Sequence, residues 1–87
     1  MVIKINRGTF IKKESIAQYE IERSGISNNY ILNVLLSNAS LVKITESPSY
    51  EILESYIEKL ESPKILESIN KNKKESIIDI NYILGLK

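Results

Sequence analysis

The chain has no cysteine and no histidine, and its acidic side chains include a single aspartate, Asp79. Without thiols or imidazoles it lacks the usual zinc ligands, a thiolate nucleophile and an imidazole base. One aspartate also excludes the cluster of aspartates that typically holds magnesium. The glycines, Gly8, Gly25 and Gly85, are too scattered to form a phosphate-binding loop. The sequence therefore predicts no metal site and no cofactor.

Catalysis by glutamate, lysine, tyrosine or serine stays formally open, because a pair of glutamates is enough for acid–base chemistry. The sequence pattern, however, places the glutamates on polar faces, where nothing would tune them for such a role. We therefore expect a protein that is not an enzyme.

The absence of cysteine also indicates the cellular compartment, because small secreted domains usually depend on disulfides. Their absence favours a reducing compartment, and we expect a cytoplasmic protein. No window approaches the roughly 18 apolar residues of a membrane helix, and residues 1–8 do not resemble a signal peptide. A length of 87 residues predicts one domain, 1–87, with a thin core. The 43% hydrophobic content is ordinary for a globular protein.

Alternating apolar and polar side chains predict short strands through the first half of the chain. The predicted strands are residues 2–6, 9–11, 16–23, 30–37 and 40–45. Asn38-Ala39 is predicted as a two-residue hairpin turn, with the asparagine taking the positive φ. Residues 1–45 are therefore predicted to form an antiparallel meander.

The hydrophobic period changes after residue 46, where Ser47 is a good N-cap and Pro48 suits the first helical position. Apolar residues then recur at i, i+4 and i+7 from Leu53, which predicts an amphipathic helix over residues 48–61.

The last third of the chain gives weaker signals. A second, shorter helix is predicted after Pro63, followed by a polar loop over residues 70–76. Residues 77–84 fit either a strand or a helix that ends at a Gly85 C-cap. Clean alternation and isoleucine richness favour the strand, and the helix stays as the alternative.

Together these elements predict an α+β fold. We expect an antiparallel β-meander of four to five strands, with one long and one short helix packed on one face. The predicted core residues are Ile5, Tyr19, Ile21, Leu32, Val34, Leu36, Ile44, Leu53, Ile57 and Leu60.

The most organised polar feature is an acidic stripe along the predicted long helix. Its members recur at i, i+3, i+7 and i+10, and they are Glu51, Glu54, Glu58 and Glu61. The pattern fits the solvent face of any amphipathic helix, and it also fits a binding site. Residues 46–67 carry a net charge of −4, whereas residues 1–45 carry +3 and residues 68–87 carry +2. This uneven distribution predicts electrostatic steering towards a basic partner.

A second candidate site is basic and would contact nucleic-acid phosphates. Its predicted members are Lys12, Lys13, Lys71, Lys73 and Lys74. Nucleic-acid binders usually show a larger positive excess and interleaved aromatic residues. Here Tyr19, Tyr30 and Tyr82 occupy the apolar faces of their predicted strands, which favours core positions for their rings.

Several turn and strand motifs follow one another in a fixed order over residues 1 to about 61. They are Ile5-Asn6-Arg7-Gly8-Thr9-Phe10, Ile16, Glu20, residues 30–38, and Lys43-Ile44-Thr45-Glu46-Ser47 before a helix. This order resembles the small flagellar FlbD-type proteins, and the resemblance implies a short antiparallel meander followed by a helix. The chain has Asn38-Ala39 where that family tends to carry Asn-Gly, and it continues beyond the resemblance for about 26 residues. Only the architecture is carried over.

The features above favour a small non-enzymatic protein-binding module. Isoleucine dominates the apolar residues and lysine the cations, and asparagine and serine are plentiful, as in AT-rich genomes, which suggests a phage or mobile-element inhibitor or adaptor of the anti-CRISPR kind. Its partner would be a larger protein or nucleoprotein complex of the host cell. One alternative is a nucleic-acid-binding accessory protein that uses the lysines. The other is a self-assembling protein, a homodimer for example, that pairs through an exposed edge strand at residues 9–11 or 77–84.

Overall fold

Six strands and two helices account for most of the residues that the computed structural model describes, which are 1–62 and 77–86. They are β1 Val2–Asn6, β2 Thr9–Lys12, β3 Ile16–Arg23, β4 Tyr30–Leu36, β5 Leu41–Ser47, α1 Tyr50–Glu61, β6 Ile77–Asp79 and α2 Ile80–Leu84. The predicted α+β class is confirmed. The short helix predicted after Pro63 and the polar loop over residues 70–76 lie outside the described residues. Contacts divide the chain into a first unit, Met1–Glu14 with Glu58–Lys87, and a second unit, Ser15–Ile57.

The first unit contains a sheet with the strand order β2-β1-β6 among the described residues. β1 pairs antiparallel with β2 through a tight turn, and it pairs parallel with β6 from the far end of the chain. The register aligns Ile11, Ile3 and Ile78 in one row across the three strands, and all three are buried. Alternation in β1 thus places isoleucines on one face of the strand, and this face is part of the buried core of the unit.

Residues 77–84 combine the two predicted alternatives. The strand prediction is confirmed for Ile77–Asp79 but is wrong for Ile80–Leu84, which form helix α2. The side chain of Asp79 accepts a hydrogen bond from the Asn81 N–H at 2.8 Å and so caps the helix. Gly85 ends it in the left-handed conformation with φ 75°, as the helical alternative required.

The second unit contains the predicted meander, as a sheet of order β3-β4-β5 among the described residues. Both pairings are antiparallel. Leu32 and Val34 on the central strand are fully buried, and Ile44 of β5 is buried with them. The meander has three strands rather than four to five, because residues 2–12 pair with each other and with β6 instead.

The β4–β5 connection differs from the predicted two-residue turn at Asn38-Ala39. The Ala39 N–H donates to the Leu36 carbonyl, and the Leu36 N–H donates to the Ser40 carbonyl, both at 2.8 Å. This is a three-residue loop closed by a left-handed residue. That residue is Ala39, with φ 71°, and not the asparagine. The Asn38 side chain instead accepts from the Ser40 N–H at 3.0 Å.

Replacing Ala39 with glycine is therefore expected to stabilise the protein by up to about 1 kcal/mol. A left-handed alanine costs roughly 1–2 kcal/mol, which outweighs the entropy that glycine loses on folding, roughly 0.5–1 kcal/mol. Urea unfolding measures the change. Ser37→Gly in the same loop is the matched control, and it should be neutral or destabilising because its φ is negative. An equal loss of unfolding free energy in both variants would contradict a left-handed conformation of Ala39.

Helix α1 begins two residues later than predicted. Ser47 is not its N-cap, because this residue pairs with Tyr30 at the end of β5 and stays extended. The cap is Ser49, whose Oγ accepts from the Ile52 N–H at 3.3 Å. The Ser47 Oγ accepts from the Ser49 N–H at 3.1 Å and so shapes the approach to the helix.

Burial confirms most of the predicted core. The predicted residues that are buried are Ile5, Leu32, Val34, Ile44, Leu53 and Leu60. The others are only half-buried, and they are Tyr19, Ile21, Leu36 and Ile57. Buried apolar residues that the prediction omitted are Ile3, Ile11, Ile78, Ile80, Ile83 and Leu84. Neither helix of the described residues has the length and apolar character needed to cross a membrane.

Candidate functional site

The acidic stripe lies on the exposed side of α1. Leu53 and Leu60, seven residues apart, are fully buried and fix which side of the helix faces inward. Roughly opposite them the four predicted residues are all exposed, and they are Glu51, Glu54, Glu58 and Glu61. The structure therefore places the whole predicted set on one solvent-facing stripe.

The four carboxylates differ in what they contact. Glu61 Oε2 accepts from Lys13 Nζ at 2.9 Å, and Glu51 Oε1 lies 3.4 Å from the Ser49 hydroxyl. Within residues 1–62 and 77–86, Glu54 and Glu58 have neither an ion pair nor a hydrogen bond. These two carboxylates can meet a cation without first breaking an internal contact.

An aromatic cluster adjoins the first turn of α1. The rings of Tyr30 and Tyr50 meet edge to face with centroids 5.6 Å apart, and the Arg23 guanidinium lies 5.8 Å from the Tyr30 centroid. Tyr50 nonetheless stays 41% exposed. One helical turn separates it from Glu54, so an aromatic side chain and the acidic stripe share one surface.

Sequence reasoning missed this cluster because it assigned the Tyr30 ring to the core. The ring is half-buried and holds Tyr50 at the surface. A usable signal was the predicted pairing of strands 16–23 and 30–37 across a short loop, which brings Arg23 opposite Tyr30. The contact with Tyr50 depends on where α1 begins, and that position was misplaced.

The predicted lysine set is only partly described. Lys12 is exposed on β2, whereas Lys13 is engaged by Glu61. The other three, Lys71, Lys73 and Lys74, lie outside the described residues. One member of the basic set therefore pairs with one member of the acidic set. In the described part of the chain no three acidic side chains cluster as a metal site would need.

The β3-β4-β5 sheet carries two separate groups of polar side-chain contacts. Asn33, only 4% exposed at its centre, donates to Glu22 Oε1 at 3.0 Å. Glu46 at its edge accepts from Asn29 Nδ2 at 2.7 Å and from Lys43 Nζ. The Asn29 amide first, and then the Lys43 ammonium, hold the pKa of Glu46 below its ordinary value. The Asn29 contact ties the loop before β4 to β5.

An NMR titration of Glu46 is expected to show a midpoint below the ordinary 4.5. A lowered pKa means that its contacts stabilise the fold at neutral pH and that this contribution is lost as the pH falls through the folded-state pKa. Asn29→Ala and Lys43→Ala should each move the midpoint towards the ordinary value. Glu58→Gln, which removes a charge from α1, should leave it in place. An unchanged midpoint in Asn29→Ala would contradict the assigned contact.

The surface formed by Arg23, Tyr30, Tyr50, Glu51 and Glu54 lies within the second unit and combines aromatic, cationic and acidic groups. Tyrosine and arginine are enriched among the few residues that contribute most of the binding energy at protein interfaces. Carboxylates around them add orientation and steering. This arrangement is suited to binding a macromolecule. Comparisons with protein-family models, with curated proteins and with solved structures found no match to this chain.

Proposed function

We propose that this chain is a small non-enzymatic protein-binding module that docks on a larger host complex through the outer side of α1. The proposal extends to a phage or mobile-element inhibitor or adaptor of the anti-CRISPR kind, acting in the cytoplasm of a host cell. The observation that carries it is the exposure of Tyr50, Glu51, Glu54 and Glu58 along α1.

The aromatic end of this surface supports a binding role over a plain solvent face. A solvated helix face has no need of an exposed tyrosine that packs on another aromatic ring, which an arginine in turn contacts. Because Tyr30 holds Tyr50 from one side, less side-chain entropy is lost when a partner covers the exposed part. Tyr50 would thus be the anchor of the interface.

The charge of the stripe indicates the chemistry of the partner. Among residues 1–62 and 77–86 neither Glu54 nor Glu58 has an ion-pair partner, so their carboxylates attract lysine and arginine side chains from a distance. Basic surfaces of this kind are what a nucleoprotein complex uses to hold nucleic-acid phosphates. A protein that occupied such a surface would compete with the nucleic acid, which is a direct route to inhibition.

Affinity capture from a host lysate, run with and without nuclease, tests the proposal first. A single stoichiometric protein that is retained after nuclease treatment is the expected result. Recovery of nucleic acid, or loss of every partner on nuclease treatment, would instead favour the alternative role of a nucleic-acid-binding protein that uses the lysines.

Charge reversal then tests the surface itself. Glu54→Lys with Glu58→Lys is expected to weaken capture of that partner at least tenfold, because each reversal replaces attraction by repulsion. The circular dichroism spectrum and the unfolding midpoint should hardly change, since both side chains are exposed. Unchanged binding would remove the acidic stripe from the proposal.

A matched pair of variants separates local charge from net charge. Glu54→Gln with Glu58→Gln and, separately, Ala17→Lys with Asn28→Lys each raise the net charge equally, but only the first pair alters α1. Ala17 and Asn28 are exposed and lie outside the helix. The first pair should lose affinity and the second should retain it. Equal losses would mean that only overall charge matters.

A further inference from the structure

Within residues 1–62 and 77–86, β2 is an edge strand of its sheet. Among the described residues its only strand partner is β1, in the order β2-β1-β6. The Lys13 N–H donates to the Met1 carbonyl at 3.0 Å, and the same register aligns Ile3 with Ile11. In an antiparallel ladder, hydrogen-bonded and non-hydrogen-bonded pairs alternate. The backbone N–H and C=O of Ile11 therefore form hydrogen bonds with β1. The backbone groups of Phe10 and Lys12 point away from the sheet.

The outward side chains of this strand, those of Phe10 and Lys12, are also exposed. Phe10 is 50% exposed on the outer face of the sheet, and Lys12 on the same face is exposed as well. Neither makes a hydrogen bond or an ion pair through its side chain within the described residues. An edge with outward peptide groups and a half-exposed phenylalanine is a template for a further strand.

The sequence of the edge is complementary to itself. When two copies of β2 run antiparallel about a twofold axis at Ile11, Phe10 of each copy lies opposite Lys12 of the other. The outward peptide groups then match in two hydrogen-bonded pairs. Each ring contacts a lysine stem and ammonium, and no two like charges oppose each other. An axis at Lys12 would place the two lysines face to face, which the Ile11 axis avoids.

The inner face of the sheet gains from the same register. Ile11 meets its own copy in a non-hydrogen-bonded pair, where side chains approach most closely. The buried row of Ile78, Ile3 and Ile11 then continues without a break into the corresponding row of the second copy. The three described strands of each copy then form one sheet with a continuous isoleucine row.

We infer that two copies of this chain associate through β2, pairing antiparallel with the twofold axis at Ile11. The occupant of the edge is a second copy because Phe10 and Lys12 each supply the complement of the other. An unrelated strand would have to provide the same pair at the same spacing. This inference does not depend on the proposed role of α1.

Sedimentation equilibrium of the full chain over about 10 µM to 1 mM, a range that brackets weak association, tests the inference. We expect a concentration-dependent monomer–dimer equilibrium. Phe10→Lys should raise the dissociation constant roughly tenfold or more, because it places two lysine pairs in opposition across the axis. Lys12→Glu alone should weaken the dimer less, since it removes only the ring–ammonium contact.

The double variant Phe10→Lys with Lys12→Glu is the most direct test of the proposed register. It places lysine opposite glutamate twice in the proposed register, and dimerisation should return. Leu41→Lys, which adds a lysine at an exposed position on β5, is the matched control and should dimerise like the original chain. Circular dichroism checks that every variant is folded. A chain that stays monomeric throughout, a Phe10→Lys dimer of unchanged strength, or no recovery in the double variant would each overturn the inference.

Discussion

Replacing Ile3 with alanine is expected to lower the free energy of unfolding by about 2–5 kcal/mol. Ile3 is 0% exposed and lies on the central strand between Ile11 and Ile78. The substitution removes apolar contacts and leaves a cavity that two neighbouring strands hold open. A small domain has only on the order of 5–15 kcal/mol of stability in total. The variant should therefore unfold at a much lower urea concentration.

Two further variants test the physical reason for this loss. Ile3→Val removes one methylene and should cost about 0.5–1.5 kcal/mol. Ile26→Ala removes the same atoms as Ile3→Ala from a fully exposed loop residue and should change almost nothing. A loss in Ile3→Ala no larger than that in Ile26→Ala would mean that the isoleucine row is not part of the core of its unit.

The sequence predicted the face on which Ile3 lies but not its neighbours. Alternation in residues 2–6 places Ile3 and Ile5 together on one face, because successive side chains of a strand point to opposite sides. It carries no information on which strand lies alongside. The neighbour on one side, Ile78, comes from the far end of the chain by a parallel pairing. A meander connects only strands that follow one another, so this pairing was missed.

The change from strand to helix at residue 80 shows a second limit. Period two and period 3.6 both fit the apolar residues of 77–84, so hydrophobicity could not separate them. The helix is determined by its two ends. Asp79 accepts a hydrogen bond from the Asn81 N–H at its start, and Gly85 takes the left-handed conformation at its end. Both residues were visible in the sequence. Their role follows only when β6 stops pairing with β1 at Asp79.

The candidate site was predictable to the extent that it depends on one helix. The spacing of the glutamates fixed a common side of α1, because residues three and four apart are neighbours on a helix. The Tyr30–Tyr50 contact could not be predicted in this way, because it joins a strand to the start of a helix. Ser49 rather than Ser47 caps that helix, and this choice sets where Tyr50 stands.

Leu53→Ala is the second variant with a large expected effect, again about 2–5 kcal/mol of the free energy of unfolding. Leu53 is 0% exposed, whereas its neighbour Ile52 is 44% exposed. In a domain of this size the loss corresponds to a fall in the melting temperature on the order of 10–30 °C. Leu53→Met keeps the volume and should cost less than about 1.5 kcal/mol. Thermal unfolding followed by circular dichroism measures all three variants, with Ile52→Ala as the exposed control.

This set also separates the fold from the interface on one helix. Leu53→Ala should lower the melting temperature, and below its own melting temperature it should still bind the partner of α1 because the outer stripe is intact. Glu54→Lys, one residue further along, should leave the melting temperature almost unchanged and weaken binding of the partner. The opposite result, an unstable Glu54→Lys or a Leu53→Ala that melts like Ile52→Ala, would mean that the buried and solvent-facing sides of α1 have been exchanged.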